Sequence, residues 1–300
     1  MKVLVPDSPL RGELGPLPDG VELVAEPEPD VEILVAGPEL ADRLPQLFES
    51  LPSLRVVQSF SAGVDWLLPI APTGVVICRA VGVHDAAVAD WVMAAILVMQ
   101  RRFPEFIDNQ RRSAWIRREG DELDAHDLEG QSVVIVGHGS IGRALASRLA
   151  PFGARVTGIA QHPRQDAVST EALPGLLPLA DVVVDLLPLT PATVKFVNED
   201  FLARMKPGAL FVNAGRGRTV DTDALVAALQ AGRIRAALDV TDPEPLPAEH
   251  PLWQAPNTLI TPHVGGNVAQ WQQRAYRFAG DQIRRCAAGE PLLGVSPREE

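Results

Sequence analysis

The sequence predicts an α/β protein with two doubly wound parallel sheets, and three observations carry that prediction. Short apolar, β-branched runs alternate with helical segments along two successive stretches, one before about His84 and one after about Leu128. That alternation is the pattern of helices packed on parallel strands. The second stretch opens with Val133-Val134-Ile135-Val136 and then glycines at 137, 139 and 142, a G-x-G-x-x-G spacing between a strand and an amphipathic helix. At 300 residues and 46% hydrophobic content the chain is long enough for two cores.

Along the first stretch, residues 2–5, 33–35, 55–58 and 75–78 read as strands and 40–51 as a helix, with the proline-rich segments 6–18 and 27–29 as turns and loops. Ser61-Ala62-Gly63-Val64-Asp65 follows the third strand and opens a helix. By itself it reads as a capped strand-to-helix turn, the alternative being that its backbone N–H groups hold a carboxylate. Residues 86–102 form a strongly apolar helix, and the crossing out of the first domain lies just before it. The charged segment 108–127 reads as surface helix and loop, with Trp115 as a packing or subunit-contact residue. Six strands follow, at 133–136, 155–159, 182–186, 210–212, 236–238 and 259–260, which fits a doubly wound sheet. A helix from about 269 to 287 is expected to return to the first domain. The expected domains are therefore 1–84 with 272–300, and 85–271.

The net charge of −11 argues against a nucleic-acid surface and against docking on anionic membrane, both of which need a basic face. Cys78 and Cys286 are the only cysteines, too few for a disulfide framework or a metal cluster, so a reducing cytoplasm is the expected setting and no metal is expected. No basic-then-apolar leader opens the sequence, and the longest apolar helical run, 92–99, is well short of the roughly 20 residues of a membrane span.

The glycine turn implies a dinucleotide clamp. Gly137 permits the tight turn, Gly139 lets backbone approach a pyrophosphate, and Gly142 lets the helix that starts at Ser140 and Ile141 pack against the sheet. Free N–H groups and a partial positive charge at that helix start favour phosphate. Three more polar constellations follow strands: Asn213-Ala214-Gly215-Arg216-Gly217, residues 239–244, and Thr261-Pro262-His263; all are expected to meet in one crevice. At the end of the second strand, where an acidic residue usually holds the ribose hydroxyls, the chain has Ala160-Gln161-His162-Pro163-Arg164. Without a carboxylate there, and with His162 and Arg164 close behind, NADP(H) is expected over NAD(H); the alternative is a loosely held NAD(H) with Arg164 a solvated charge. His263 has the natural pKa for donating a proton to a carbonyl oxygen, Glu244 can orient its ring, and Arg216 can grip a carboxylate while polarising the neighbouring ketone. Together they fit hydride transfer to a 2-keto acid.

These motifs, with Leu187-Pro188-Leu189-Thr190, Met205-Lys206-Pro207-Gly208-Ala209, Ala237-Leu238-Asp239-Val240 and Glu244-Pro245-Leu246-Pro247, resemble the D-isomer-specific 2-hydroxyacid dehydrogenases, the family that includes glyoxylate/hydroxypyruvate reductases. The resemblance spans essentially the whole length. It implies two Rossmann-like/flavodoxin-like domains, with the cofactor domain inserted in the substrate domain, and a homodimer acting on a small 2-keto or 2-hydroxy acid. By the same likeness Arg216 binds substrate and cofactor, Glu244 partners His263, and His263 is the general acid/base. It makes Ala62, Gly63 and Val64 the substrate-carboxylate cradle. It places Leu187, Pro188, Thr190, Thr193, Ala214, Asp239, His263 and Gly265 along the cofactor.

Two departures stand out. Arg79 replaces the family's usual Asn at the cleft edge, selecting a second acidic group on the substrate or, the favoured reading, pairing with Asp85 or Asp90; and Asp90 stands where the family shows Glu. The sequence ends soon after its last helix, so the regulatory domain of some phosphoglycerate dehydrogenases, and feedback control through it, is not expected. A phosphite- or formate-type dehydrogenase and a dinucleotide-sensing corepressor are the competing readings.

Overall fold

The computed structural model describes residues 1–118 and 122–296, so residues 119–121 of the charged segment fall outside the described residues. The chain divides into two compact units, Met1–His84 with Asn267–Glu300, and Asp85–Gly266.

In the first unit five parallel strands are arranged in the order β2-β1-β3-β4-β5: β1 (Lys2–Leu4), β2 (Glu22–Val24), β3 (Val31–Ala36), β4 (Val56–Ser59) and β5 (Val76–Cys78). This is the flavodoxin-like order, which puts a switch point between β1 and β3. The sequence reading lacks β2, a three-residue edge strand that pairs only with β1 and shows too little alternation to stand out. The proline-rich start is likewise more ordered than expected, with a 3-10 turn at Pro9–Leu14 capped by Ser8. The expected helix at 40–51 is instead a 3-10 turn, Pro38–Arg43, followed by α1 (Leu44–Glu49).

The second unit begins with α2 (Asp85–Gln100). It matches the apolar helix expected over 86–102; Arg102, at a left-handed φ of 60°, then turns the chain into α3 (Phe103–Arg111), which begins earlier than the surface helix expected within 108–127. Then come β6 (Ser132–Val136), α4 (Ser140–Leu149), β7 (Arg155–Ala160), β8 (Val168–Ser169), α5 (Leu173–Leu176), β9 (Val182–Asp185), α6 (Glu199–Arg204), β10 (Leu210–Asn213), α7 (Thr222–Gln230), β11 (Arg235–Leu238) and β12 (Thr258–Ile260). All seven strands are parallel, in the order β12-β11-β10-β9-β6-β7-β8. That is the Rossmann order with one strand added at the β12 edge. The unpredicted strand, β8, is a two-residue edge.

The central strands explain themselves. Val133 to Val136 and Val182 to Val184 are fully buried, because helices cover both faces of a parallel sheet. Phe211 on β10 is also fully buried, and truncating such a residue to Ala costs about 3–5 kcal/mol. Each ligand-facing loop of this unit therefore hangs from a rigid strand end.

The last helix, α8 (Trp271–Ala288), belongs to the first unit. A Cβ on Gly280 would sit 2.0 Å from the Leu14 carbonyl, so only glycine allows α8 to lie against the Pro9–Leu14 turn. Gln282 on α8 donates to the buried Gln58 on β4 at 2.9 Å. Among the described residues no helix is long and apolar enough to cross a membrane.

Candidate active site

The glycine turn follows β6 directly. Gly137 has φ 96°, and a Cβ there would lie 2.7 Å from the Leu186 carbonyl group. A Cβ on Gly142 would be 3.0 Å from the Gly137 oxygen and 3.3 Å from Ile135 Cγ2, so α4 packs tightly on the strand. Gly139 is different: a Cβ there would meet nothing within 4 Å. It caps α4 without a side-chain bond, and the first turn holds no acidic residue, so the N–H groups at Ser140 and Ile141 start a helix open to an anion. This cradle fits a dinucleotide pyrophosphate. The Ser140 hydroxyl donates to Asp85 at 3.2 Å.

His138, inside the turn, is buried with its ring over Gly158 of β7, where any side chain would collide with the imidazole. Burial holds its pKa below the ordinary value, with Asp166 opposing and Arg143 and Arg164 reinforcing the shift. Arg164 donates to the His138 carbonyl and pairs with Asp166 at 3.2 Å, while His162 is exposed. Asp166 was missed from sequence. It lies beyond the position an acidic ribose ligand usually takes, and a tight turn pairing Arg164 with Ala167 folds it back beside Arg164 and His138.

The Arg216 loop hangs from β9 and β10. Asn213 Nδ2 donates to the Arg216 carbonyl at 3.1 Å, and its Oδ1 accepts the Gly215 N–H at 3.0 Å. The Thr219 hydroxyl lies 2.6 Å from that same carbonyl and 2.6 Å from Asp185 Oδ2. The other carboxyl oxygen of Asp185 accepts the Leu187 N–H at 2.9 Å, and its backbone carbonyl accepts from Ala214 at 3.1 Å. Gly215 and Gly217 are needed for close approach, since a Cβ would meet Leu187 O at 2.8 Å and Thr241 O at 1.8 Å. Arg216 Nη1 donates to the Gly215 carbonyl at 2.9 Å, steering the guanidinium along its own loop. Beyond Leu187, Thr193 Oγ1 donates to the Pro188 carbonyl at 2.7 Å and accepts the Thr190 N–H at 2.8 Å, closing that loop on itself.

Asp239, at the end of β11, is buried and organises the loop after β12. Its Oδ1 accepts from the Thr261 hydroxyl at 2.6 Å and the Val264 N–H at 2.9 Å, and its Oδ2 accepts the Gly265 N–H at 2.7 Å. A Cβ on Gly265 would lie 2.8 Å from that Oδ2. His263 takes a left-handed φ of 53°, a conformation costing a non-glycine residue about 1–3 kcal/mol, held by its N–H donating to Asp239 O at 2.7 Å. Its Nδ1 donates to Glu244 Oε1 at 2.6 Å, which leaves Nε2 for chemistry. This bond raises the His263 pKa above the ordinary imidazole value; partial burial and the Arg216 charge oppose the rise, and the Glu244 and Asp239 charges support it. Arg216 and Glu244 thus both act on His263.

In the first unit, Ser61-Ala62-Gly63-Val64-Asp65 does not open a helix. Turns follow it, Leu67 and Leu68 both donating to the Val64 carbonyl at 2.9 Å, in a stretch soon stopped by Pro69. Ser59 Oγ accepts the Ser61 N–H at 3.0 Å, and Trp66 Nε1 donates to Gly63 O at 3.1 Å. In the second unit Asp85 accepts from Ser140, and Asp90 pairs with Arg148 at 2.6 Å. Arg79 leaves the end of β5, its backbone N–H on Gly294 O and its buried Nε without a hydrogen-bond partner among the described residues. Trp115 is 97% exposed and so is not a packing residue among the described residues.

Residues 93–265 match the family model for the NAD binding domain of D-isomer specific 2-hydroxyacid dehydrogenase. The chain is 35% identical to human glyoxylate reductase/hydroxypyruvate reductase over 252 residues, covering 80% of this chain and 76% of that protein. It is 37% identical over 282 residues to glyoxylate/hydroxypyruvate reductase B of Escherichia fergusonii, covering 91% and 86%. Among solved structures, a D-isomer specific 2-hydroxyacid dehydrogenase from Xanthobacter autotrophicus Py2 in complex with NADPH and MES superposes with a TM-score of 0.83 at 31% identity, covering 99% of this chain and 97% of that one. An NADPH-dependent glyoxylate/hydroxypyruvate reductase from Sinorhizobium meliloti, in complex with NADP and sulfate, gives 0.82 at 28% identity, covering 98% and 97%.

Proposed function

The chain belongs to the D-isomer specific 2-hydroxyacid dehydrogenases, NAD(P)-dependent oxidoreductases of 2-keto and 2-hydroxy acids, and from that premise we propose that it reduces glyoxylate or hydroxypyruvate with NADPH. The single observation that carries the reading is the Arg216, Glu244 and His263 set, with the Nδ1 of His263 held on Glu244 and its pKa raised. Protonated His263 donates from Nε2 to the substrate carbonyl oxygen as it becomes a hydroxyl, and Glu244 steadies the imidazolium beforehand. Arg216 grips the substrate carboxylate and polarises the ketone. On the first unit the N–H groups of Ala62, Gly63 and Val64 are assigned to the substrate carboxylate, and Arg79 to substrate choice. Gly137, Gly139, Ser140, Ile141 and Gly142 hold the pyrophosphate, with Leu187, Pro188, Thr193, Ala214, Asp239 and Gly265 along the rest of the cofactor. A bound nicotinamide supplies or accepts the hydride.

NADP(H) is favoured over NAD(H) because no carboxylate stands at Ala160 or Gln161 and Arg164 lies against the glycine turn; Asp166 tempers that charge. Both reductases named from E. fergusonii and human act in name on keto acids, which supports this reading over a phosphite, formate or corepressor role. A cytoplasmic homodimer completes the proposal. The exposed Phe103 and Ile107, one helical turn apart on α3, and the exposed Trp115 and Ile116 support a subunit contact there.

The test is the initial rate of NADPH and NADH oxidation against glyoxylate, hydroxypyruvate, pyruvate and branched 2-keto acids. Turnover of glyoxylate or hydroxypyruvate with NADPH, falling about 100- to 1000-fold in Arg216→Ala, is the expected result. Absence of turnover with cofactor still bound overturns it.

A further inference from the structure

The hydroxyl of Thr219 has one hydrogen and two oxygens at 2.6 Å, Asp185 Oδ2 and the Arg216 carbonyl. A single hydrogen shared between two acceptors gives long contacts, and two oxygens 2.6 Å apart with no hydrogen between them repel. A second hydrogen is therefore needed on this line, and Asp185 is the group that can bring it. We propose that Asp185 is a positioning residue whose carboxyl is protonated in the active enzyme, Oδ2–H donating to Thr219 and Thr219 in turn donating to the Arg216 carbonyl. This inference rests on the assignment of Arg216 as the substrate-binding cation.

In the protonated form every polar atom is satisfied. Oδ1, the carbonyl oxygen of the acid, accepts the Leu187 N–H at 2.9 Å; Oδ2 donates; Thr219 accepts once and donates once. The Arg216 carbonyl then takes Thr219 as well as Asn213 Nδ2. The carboxyl is fully buried, and what faces it among the described residues is uncharged: Val136 on β6 and Asn213 on β10 pair with it in the sheet, Thr219 and Leu187 bond to it, and no charged side chain among those residues bears on its titration. Burial pushes the carboxyl up to about 6, while Thr219 and Leu187 pull it back by donating. Commitment of the Thr219 hydrogen to Arg216 removes one of those two opposing bonds and carries the group higher.

The consequence is a link between one buried proton and two ligand loops. Asp185 ties Leu187, on the loop that continues to Pro188, to the carbonyl under Arg216. Ionisation turns the Thr219 hydrogen toward Asp185 and leaves the Arg216 carbonyl facing a lone pair. The Arg216 loop then loosens, and the first quantity to suffer is the KM for the keto acid.

Three variants and one spectrum test this. Asp185→Asn places an amide NH2 where the acid O–H was and cannot ionise; Asp185→Leu and Thr219→Val remove the line. Isotope-edited infrared difference spectra of the cofactor-free protein below pH 6 should show a protonated-carboxyl C=O band in the wild type that Asp185→Asn lacks. That reading needs no turnover, so it stands or falls apart from the proposed activity. In the assay, wild-type KM should rise several-fold as pH climbs past the Asp185 transition; Asp185→Asn should keep the low-pH KM and lose that rise. Thr219→Val, which removes a hydrogen bond to the buried Arg216 carbonyl, and Asp185→Leu, which leaves Thr219 without its donor and the Leu187 N–H without its acceptor, should each raise KM about tenfold at low pH. A missing infrared band overturns the protonated state. An Asp185→Asn KM profile that follows the wild type, or an Asn variant as impaired as Leu, overturns the positioning role, and both can be read even where the Leu variant does not fold.

Discussion

The carboxyl ends of the two parallel sheets are made from similar strands and carry different chemistry. In the first unit, β4 ends in Gln58 and Ser59, neutral groups that bond to Gln282 and to the Ser61 N–H. In the second, β9, β10 and β11 end in Asp185, Asn213 and Asp239, each buried and each closing a neighbouring loop by two or more hydrogen bonds. Both sheets provide rigid strand ends, as parallel strands covered on both faces must. The difference is that one offers backbone N–H groups on a turn, while the other spends buried acids and an amide on fixing Arg216 and His263. Neutral ends can shape a carboxylate cradle; moving a proton needs a titratable group held in a known orientation.

If that contrast is real, damage to the second unit should dominate. The largest effect is expected from His263→Ala, which removes the proton donor and should lower kcat for keto-acid reduction by about two to four orders of magnitude, read by steady-state kinetics. Next comes Asp239→Ala. It strands the N–H groups of Val264 and Gly265 and the Thr261 hydroxyl at about 1–3 kcal/mol for each buried donor, so denaturant unfolding should show a loss of several kcal/mol.

Glu244→Gln sharpens the comparison through pH. The wild-type His263 pKa is raised, so its proton is retained above the ordinary imidazole range and reductive activity falls only as pH rises through that raised value. The Gln variant should move this alkaline limb to lower pH and lower kcat about tenfold, seen in a pH–kcat profile. Any stability from the ion pair follows the same sign, present below the unfolded-state pKa and lost as pH rises through the folded one. The smallest effect is Asp166→Asn, which frees Arg164 from a half-exposed partner and should tighten NADPH relative to NADH about threefold, measured as nucleotide Kd by fluorescence quenching.

Local pattern alone made much of this legible. The six strands predicted for the second unit fall within a few residues of their observed places, because the central ones are short buried runs of β-branched and aliphatic residues bounded by turn signals. Gly137 and Gly142 were legible because their backbone conformation or close packing excludes a side chain, and Arg216, Glu244 and His263 because their chemistry is read from residue type and place after a strand. The edge strands β2 and β8 were not, being two or three residues long and held by pairing rather than by pattern. Nor was the turn that returns Asp166 to Arg164.

What the sequence by itself determined was therefore the two parallel sheets and the dinucleotide turn, and it nominated the side chains proposed to react, since these follow from periodicity and from the chemistry of single residues. Only the tertiary structure decided that Asp185 lies under Arg216 beside Thr219, that Asp239 closes the His263 loop, and that Asp85 and Asp90 meet Ser140 and Arg148. The reason is that a hydrogen bond between residues 34 apart, as from Thr219 to Asp185, leaves no periodic trace in either segment; it exists only once the strands are in register.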